Sequence, residues 1–136
     1  MSRMFLIISI CLIISIQGQE KRKLSVYLCE TNLINLEFEN KPTQVILGAP
    51  LKLEMSSIQH ESFTIDRITS QRFLGTNIFE TEILSFKQKT LTKGIKEFFT
   101  IDTVRTYPGN GYYGYRISIE SSGKEIACFT YYVLNN

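Results

Sequence analysis

Gly111-Tyr-Tyr-Gly-Tyr-Arg-Ile-Ser-Ile-Glu-Ser-Ser-Gly-Lys-Glu-Ile-Ala-Cys-Phe129 decides the fold class of this chain. Tyr113, Tyr115, Ile117 and Ile119 fall on one face of an extended backbone, and Gly114, Arg116, Ser118 and Glu120 fall on the other. Alternation with a period of two is the mark of a half-buried strand. Ser121-Ser-Gly-Lys124 reads as a tight turn, because Gly123 takes positive φ without steric cost. Ile126 to Leu134 then returns as a strand that is apolar on both faces. Such a strand is either central and covered, or it lines a cavity.

The same pattern extends toward the N-terminus. Ile34, Leu36 and Phe38 alternate with Asn35, Glu37 and Glu39, and Pro42 ends that run. Gln44 to Leu47 resumes, Gly48-Ala-Pro50 bends the chain, and Leu51, Leu53 and Met55 alternate with Lys52 and Glu54. Phe63 and Ile65, Leu84 and Phe86, and Phe99 and Ile101 each alternate with polar neighbours. The runs are short, rich in β-branched and aromatic residues, and bounded by Gly, Pro, Asn or Ser. Helical spacing is not sustained over ten residues beyond the first twenty. The pattern predicts an all-β chain, an immunoglobulin-like antiparallel β-sandwich of seven or eight strands.

The N-terminus reads as an export signal over residues 1–19. One positive charge precedes an apolar run, Phe5 to Ile16, and small and polar residues follow at Gln17-Gly-Gln19. That run is shorter than the roughly 20 residues a spanning helix needs. Cleavage near Gly18 to Glu20 removes Cys11 and leaves about 117 residues, one domain over 20–136. The charged cluster Glu20 to Lys23 reads as a solvated tail. Losing Arg3 leaves a net charge of +1, which gives no reason to expect nucleic acid or an anionic membrane as a partner. Cys29 and Cys128 remain. An even pair in an exported chain points to a disulfide. The alternative is two reactive thiols, but Leu28, Glu30, Ala127 and Phe129 flank them, and none of these lowers a thiol pKa.

The closing stretch resembles the ML lipid-recognition family, which includes ganglioside-activator and sterol-carrier proteins. The resemblance lies in the Gly-x-Tyr entry, the alternating strand, the Ser-Gly-Lys turn and the strand bearing Cys128 before Phe129. Pro42 to Leu53 is similar to that family's second strand, with its Gly48-Ala-Pro50 bend. The resemblance implies a disulfide between Cys29 and Cys128, joining the first and last strands. The chain departs from the family in having no cysteine between these two. True immunoglobulin domains pair two interior strands over a buried Trp. This chain has no Trp.

The resemblance further implies a secreted or endolysosomal (or vacuolar) protein that holds an acyl chain or sterol between two sheets, with no catalysis and no cofactor. The implied partners are a fatty acyl, sterol or phospholipid ligand and a transiently contacted membrane surface. Sheets pack about 10 Å apart, so a modest splay opens a slot. Each buried methylene of a ligand is worth about 0.8 kcal/mol. The wall candidates are Phe63, Ile65, Phe73, Phe79, Leu84, Phe86, Phe99, Ile101, Tyr113 and Tyr115. Each of them also suits an ordinary core. In Phe98-Phe99 and Tyr112-Tyr113 one ring of each pair is expected to point outward. Outward rings near Lys93, Lys96 and Arg105 are then best placed to meet a membrane, and a second packed face or a loop lid is the alternative. The alternative is a solid-core sandwich that binds a protein or carbohydrate on its surface. Enzymatic readings fare poorly. His60 is the lone histidine, and His60-Glu61-Ser62 are sequence neighbours whose side chains diverge on a strand, so they cannot form a triad. No Gly-rich phosphate loop, metal-ligand spacing or Asn-x-Ser/Thr glycosylation site is present.

Overall fold

The computed structural model describes residues 21–46, 48–105 and 113–134, and the side chains of all of these except 103–105 and 113. The export signal expected over 1–19 and the turn-rich 107–112 stretch lie outside the described residues. Eleven strands follow one another: β1 (Lys21–Leu28), β2 (Leu36–Asn40), β3 (Gln44–Ile46), β4 (Pro50–Ser57), β5 (Phe63–Ile65), β6 (Arg67–Leu74), β7 (Asn77–Leu84), β8 (Lys89–Leu91), β9 (Glu97–Arg105), β10 (Tyr113–Ser121) and β11 (Lys124–Val133). Three of them, β3, β5 and β8, have only three residues each; the other eight are the main strands. The fold class is all-β, as the alternation predicts.

The strands form a wide sheet in the order β3-β1-β11-β10-β6-β7, a narrow sheet in the order β2-β4-β9 and a small β5-β8 pair. All these strand pairings are antiparallel. The wide and narrow sheets face each other: the Phe38 ring of β2 meets the Phe129 ring of β11 edge to face, with centroids 5.5 Å apart. One continuous core lies between them, including Val26, Leu53, Met55, Ile101, Ile117, Phe129 and Tyr131.

Register explains which residues enter that core. Tyr115 pairs with Tyr131, Ile117 with Phe129, and Ile119 with Ala127, so all six share the inner face. The Tyr115 and Tyr131 rings stack at 4.7 Å with a 15° interplanar angle. β11 is central, between β1 and β10, and its outer face is partly covered, with Ile126 and Cys128 buried and Thr130 and Tyr132 half-buried. Its outer face carries Cys128 and Tyr132, opposite Ser118 and Gly114. The β10–β11 turn holds Ser122 at φ 51° and Gly123 at φ 78°. Two positive φ values in a two-residue loop match the twist of the flanking strands. The strain at Ser122 is offset in part by its N–H, which donates to Asp66 Oδ2 at 2.8 Å.

Cys29 and Cys128 are bonded, with Cα atoms 5.4 Å apart and a sequence separation of 99. The Asn32 side chain extends the ladder beside this bond. Its Nδ2 donates to Cys128 O at 3.2 Å, and its Oδ1 accepts from Cys128 N at 2.8 Å. The first and last main strands are therefore joined covalently and by hydrogen bonds.

Lys21 to Lys23 are not a tail. They form the start of β1, where Arg22 pairs with Val45 and is buried. Arg22, Leu24 and Val26 alternate inward, and the aliphatic stem of arginine buries readily while its head reaches a polar neighbour. Counting charges alone conceals that alternation.

On the outer face, Arg67 donates to both Glu120 oxygens, at 2.8 and 2.9 Å, and Thr69 Oγ1 adds a third bond at 2.9 Å. The Arg67 guanidinium, helped by Thr69, holds the Glu120 carboxyl below its ordinary value of 4.5. A carboxyl depressed in the folded state adds stability above its unfolded pKa, and that stability is lost as pH falls through the folded value. Glu120→Gln is therefore expected to lower the melting temperature at neutral pH. The gap from the parent protein should close in melts taken below about pH 4. The half-exposed guanidinium keeps the effect small.

Candidate functional site

The space between the sheets is the first place to look for a site. Its walls are the inner faces of β1, β11, β10 and β6 on one side and of β2, β4 and β9 on the other. Among the predicted wall residues, Ile65, Ile101 and Tyr115 are 0–1% exposed, and Leu84 and Phe99 are also buried. All five belong to the common core. Phe63 and Phe86 are half-buried and pack against its margin. The Phe86 ring, just past β7, meets the Phe99 ring of β9 edge to face at 6.4 Å. That contact spans the edge where the two sheets approach each other. The backbone of Tyr113 pairs with Val133, and its side chain lies outside the described residues.

Two predicted wall positions are not between the sheets. Phe73 pairs with Gly114, on the outer face of the wide sheet, because Tyr115 and Arg72 occupy the inner one. Its ring meets Tyr132 edge to face at 5.8 Å. A Cβ on Gly114 would stand 2.6 Å from Phe73 Cζ and 3.0 Å from Tyr132 Cδ1, so these rings need glycine beneath them. Phe79 lies on the edge strand β7 and is 57% exposed, with the Arg72 guanidinium 5.7 Å from its ring centre. A register shift between Arg72 and Phe73 breaks the alternation there, and this defeats a simple period-of-two reading.

The outward ring of the Phe98-Phe99 pair is Phe98. It is exposed, with Lys96 Nζ 5.5 Å from its centroid, while Phe99 is buried. Tyr112 lies outside the described residues. Sequence reasoning did not name Phe38, Phe129 and Tyr131 as wall residues. The apolar two-faced run Ile126 to Leu134 was the signal for the last two.

Two clefts open on outer faces. One, of about 400 Å³, is lined by Glu39, Glu54, Met55, Phe98, Phe99 and Thr100 on the narrow sheet. The other, of about 510 Å³, is lined by Ser25, Tyr27, Thr130, Tyr132 and Leu134 on the wide sheet. Beside the first, the bulged Glu39 accepts a hydrogen bond from Ser56 and pairs with Lys96 at 3.4 Å. The Ser56 hydroxyl, with Lys96 behind it, holds the Glu39 carboxyl below its ordinary range.

No group of three or more His, Cys, Asp or Glu among the described residues could hold a metal ion. His60 and Glu61 are exposed, and Ser62 Oγ accepts the Lys93 N–H at 3.0 Å. No helix among the described residues is long and apolar enough to cross a membrane.

No family model matches this chain, and no curated protein matches it. Among solved structures it is similar to chicken MD-1 complexed with lipid IVa, at a TM-score of 0.42 and 7% sequence identity. That likeness covers 86% of this chain and 98% of the other.

Proposed function

We propose that this chain is an exported lipid-binding protein that takes an acyl chain or sterol between its two sheets and does no catalysis on it. The observation that carries the reading is the pair of facing sheets with ring-rich apolar inner surfaces, tied first strand to last by Cys29–Cys128. The resemblance of the closing hairpin to ML lipid-recognition domains agrees with it. The disulfide suits an oxidising compartment, either the cell exterior or an endolysosomal or vacuolar lumen.

Binding of this kind requires the sheets to part, since Ile65, Ile101 and Tyr115 are covered. The edge closed by Phe86 and Phe99 is the place for it: a ring contact spans it, and Phe86 is only half-buried. Phe63, Ile65, Leu84, Phe86, Phe99, Ile101 and Tyr115 would then flank the ligand. Each methylene that replaces water with this surface contributes about 0.8 kcal/mol, so one acyl chain supports micromolar affinity.

A second reading is favoured by one specific observation: the clefts beside Phe98 and beside Tyr27 lie on outer faces. A solid sandwich would use such a cleft to bind a protein or carbohydrate. Titration with an environment-sensitive fatty acid separates the two. The lipid reading predicts saturable fluorescence enhancement that unlabelled fatty acid or sterol reverses, and that disappears when Ile101→Glu places a charge among the walls while Phe98→Glu on the outer face leaves it intact. Enhancement abolished by Phe98→Glu would favour the surface cleft.

A further inference from the structure

The β6–β7 hairpin ends in Phe73-Leu-Gly-Thr-Asn-Ile-Phe79, seven residues without an ionisable group. Leu74 pairs with Asn77 across a two-residue turn, and Gly75 takes φ 61°. The turn projects Leu74, Ile78 and Phe79, which are 47, 58 and 57% exposed. Three large apolar side chains held out on one hairpin form a convex, uncharged tip. Arg72 and Glu80 stand immediately behind it, 3.6 Å apart. The turn itself carries no charge into an apolar medium, and the Arg72 guanidinium, 5.7 Å from the Phe79 ring, meets the boundary paired with Glu80.

The strand directions put cations at the same end of the sheet. β10 starts, β11 ends and β1 starts beside the β6–β7 turn, since Leu24 pairs with Val133, Val133 with Tyr113, and Gly114 with Phe73. Lys21 and Lys23, both exposed, precede Leu24 there. Three to four strand spacings separate β1 from the hairpin, about 15–19 Å. On the outer face the exposed Tyr27 and the half-buried Tyr132, with rings 6.0 Å apart, lie farther back from this end than the lysines and the tip, since Ser25 pairs with Tyr132 and Tyr27 with Thr130. An uncharged apolar tip at the same end as exposed lysines matches the acyl chains and anionic head groups of a bilayer.

We infer that this end of the sandwich docks on an acidic phospholipid bilayer, with Leu74, Ile78 and Phe79 entering the acyl boundary and Lys21 and Lys23 on the head groups. A convex tip suits a deformable bilayer better than a protein groove, and the lysines give it a charge preference. The opposite end also exposes apolar residues, Leu33, Ile58 and Ile95, but Glu30, Glu61, Lys93 and Lys96 lie among them in its loops. Docking needs no lipid between the sheets, so vesicle binding and lipid uptake fail independently of each other.

The chain has no Trp, so a single substitution gives an unambiguous reporter. Phe79→Trp, and Ile95→Trp as its counterpart at the far end, are mixed with phosphatidylcholine vesicles with and without phosphatidylserine. The expected result is a blue shift and quenching by brominated lipid for the Phe79→Trp variant alone, strongest with phosphatidylserine. Leu74→Gln with Ile78→Gln should weaken vesicle sedimentation at least about tenfold. Lys21→Gln with Lys23→Gln should weaken it severalfold on acidic vesicles and reduce its salt dependence. The substituted side chains are exposed, and unchanged melting temperatures confirm the fold. Unshifted emission from the Phe79→Trp variant, equal quenching of the Ile95→Trp variant, or full sedimentation of the Leu74/Ile78 variant would each overturn the inference.

Discussion

Replacing both Cys29 and Cys128 with alanine is expected to cost about 4 kcal/mol of stability. The bond joins residues 99 positions apart. In the chain-entropy account a loop of about 100 residues contributes about 4.7 kcal/mol by restricting the unfolded state. The native geometry gives no reason for a large offset, because the Cα separation of 5.4 Å is ordinary for a disulfide and Asn32 holds the Cys128 backbone independently. For a domain of about 100 residues, each 1 kcal/mol shifts the melting temperature by about 4–8 °C. The double variant should therefore melt at least about 15 °C below the parent protein. Equal melting curves would show that β1 and β11 stay together without the sulfur bridge, and that the unfolded chain is already restricted.

Phe129→Ala is expected to cost about 3–5 kcal/mol. Phe129 is fully buried at the centre of the wide sheet, opposite Ile117 on one side and Leu28 on the other. Its ring also crosses to the narrow sheet and meets Phe38 edge to face. Truncation removes the transfer energy of the ring, the ring–ring contact and part of what holds the layers in place. Phe98→Ala is the matched control. That ring is equally large but mostly in water, and its loss should change stability by less than about 0.5 kcal/mol. Denaturant midpoints of the two variants measure the difference, and similar midpoints would contradict the assignment of Phe129 to a shared core.

Much of this fold is legible in the residues because one rule, alternation, governs it. Leu51, Leu53 and Met55 enter the core and Lys52 and Glu54 do not, as written in the chain. The two-faced run Ile126 to Leu134 announced a central strand, and β11 lies between β1 and β10. The rule fails where hydrogen bonding overrides the count. Arg22 buries its stem inside β1, so a charged cluster conceals a strand. In β6 and β7 the register shift at Arg72 and Phe73, together with Ser70 and Glu82 opposite each other, removes the apolar period. The Leu74-Gly-Thr-Asn77 turn between Phe73 and Ile78 was the signal for that hairpin. Site positions are harder to read than strands. Phe73 and Phe99 look alike as letters, yet one lies on the outer face over Gly114 and the other between the sheets. Only pairing with neighbouring strands decides which face a ring joins.

The most direct test of lipid capture is native mass spectrometry of the protein isolated from its own host, recorded before and after extraction with organic solvent. The account predicts an added mass of lipid size on the intact, disulfide-bonded chain that extraction removes and fatty acid or sterol restores. A single bare mass throughout, under conditions that load a known lipid carrier, would contradict it.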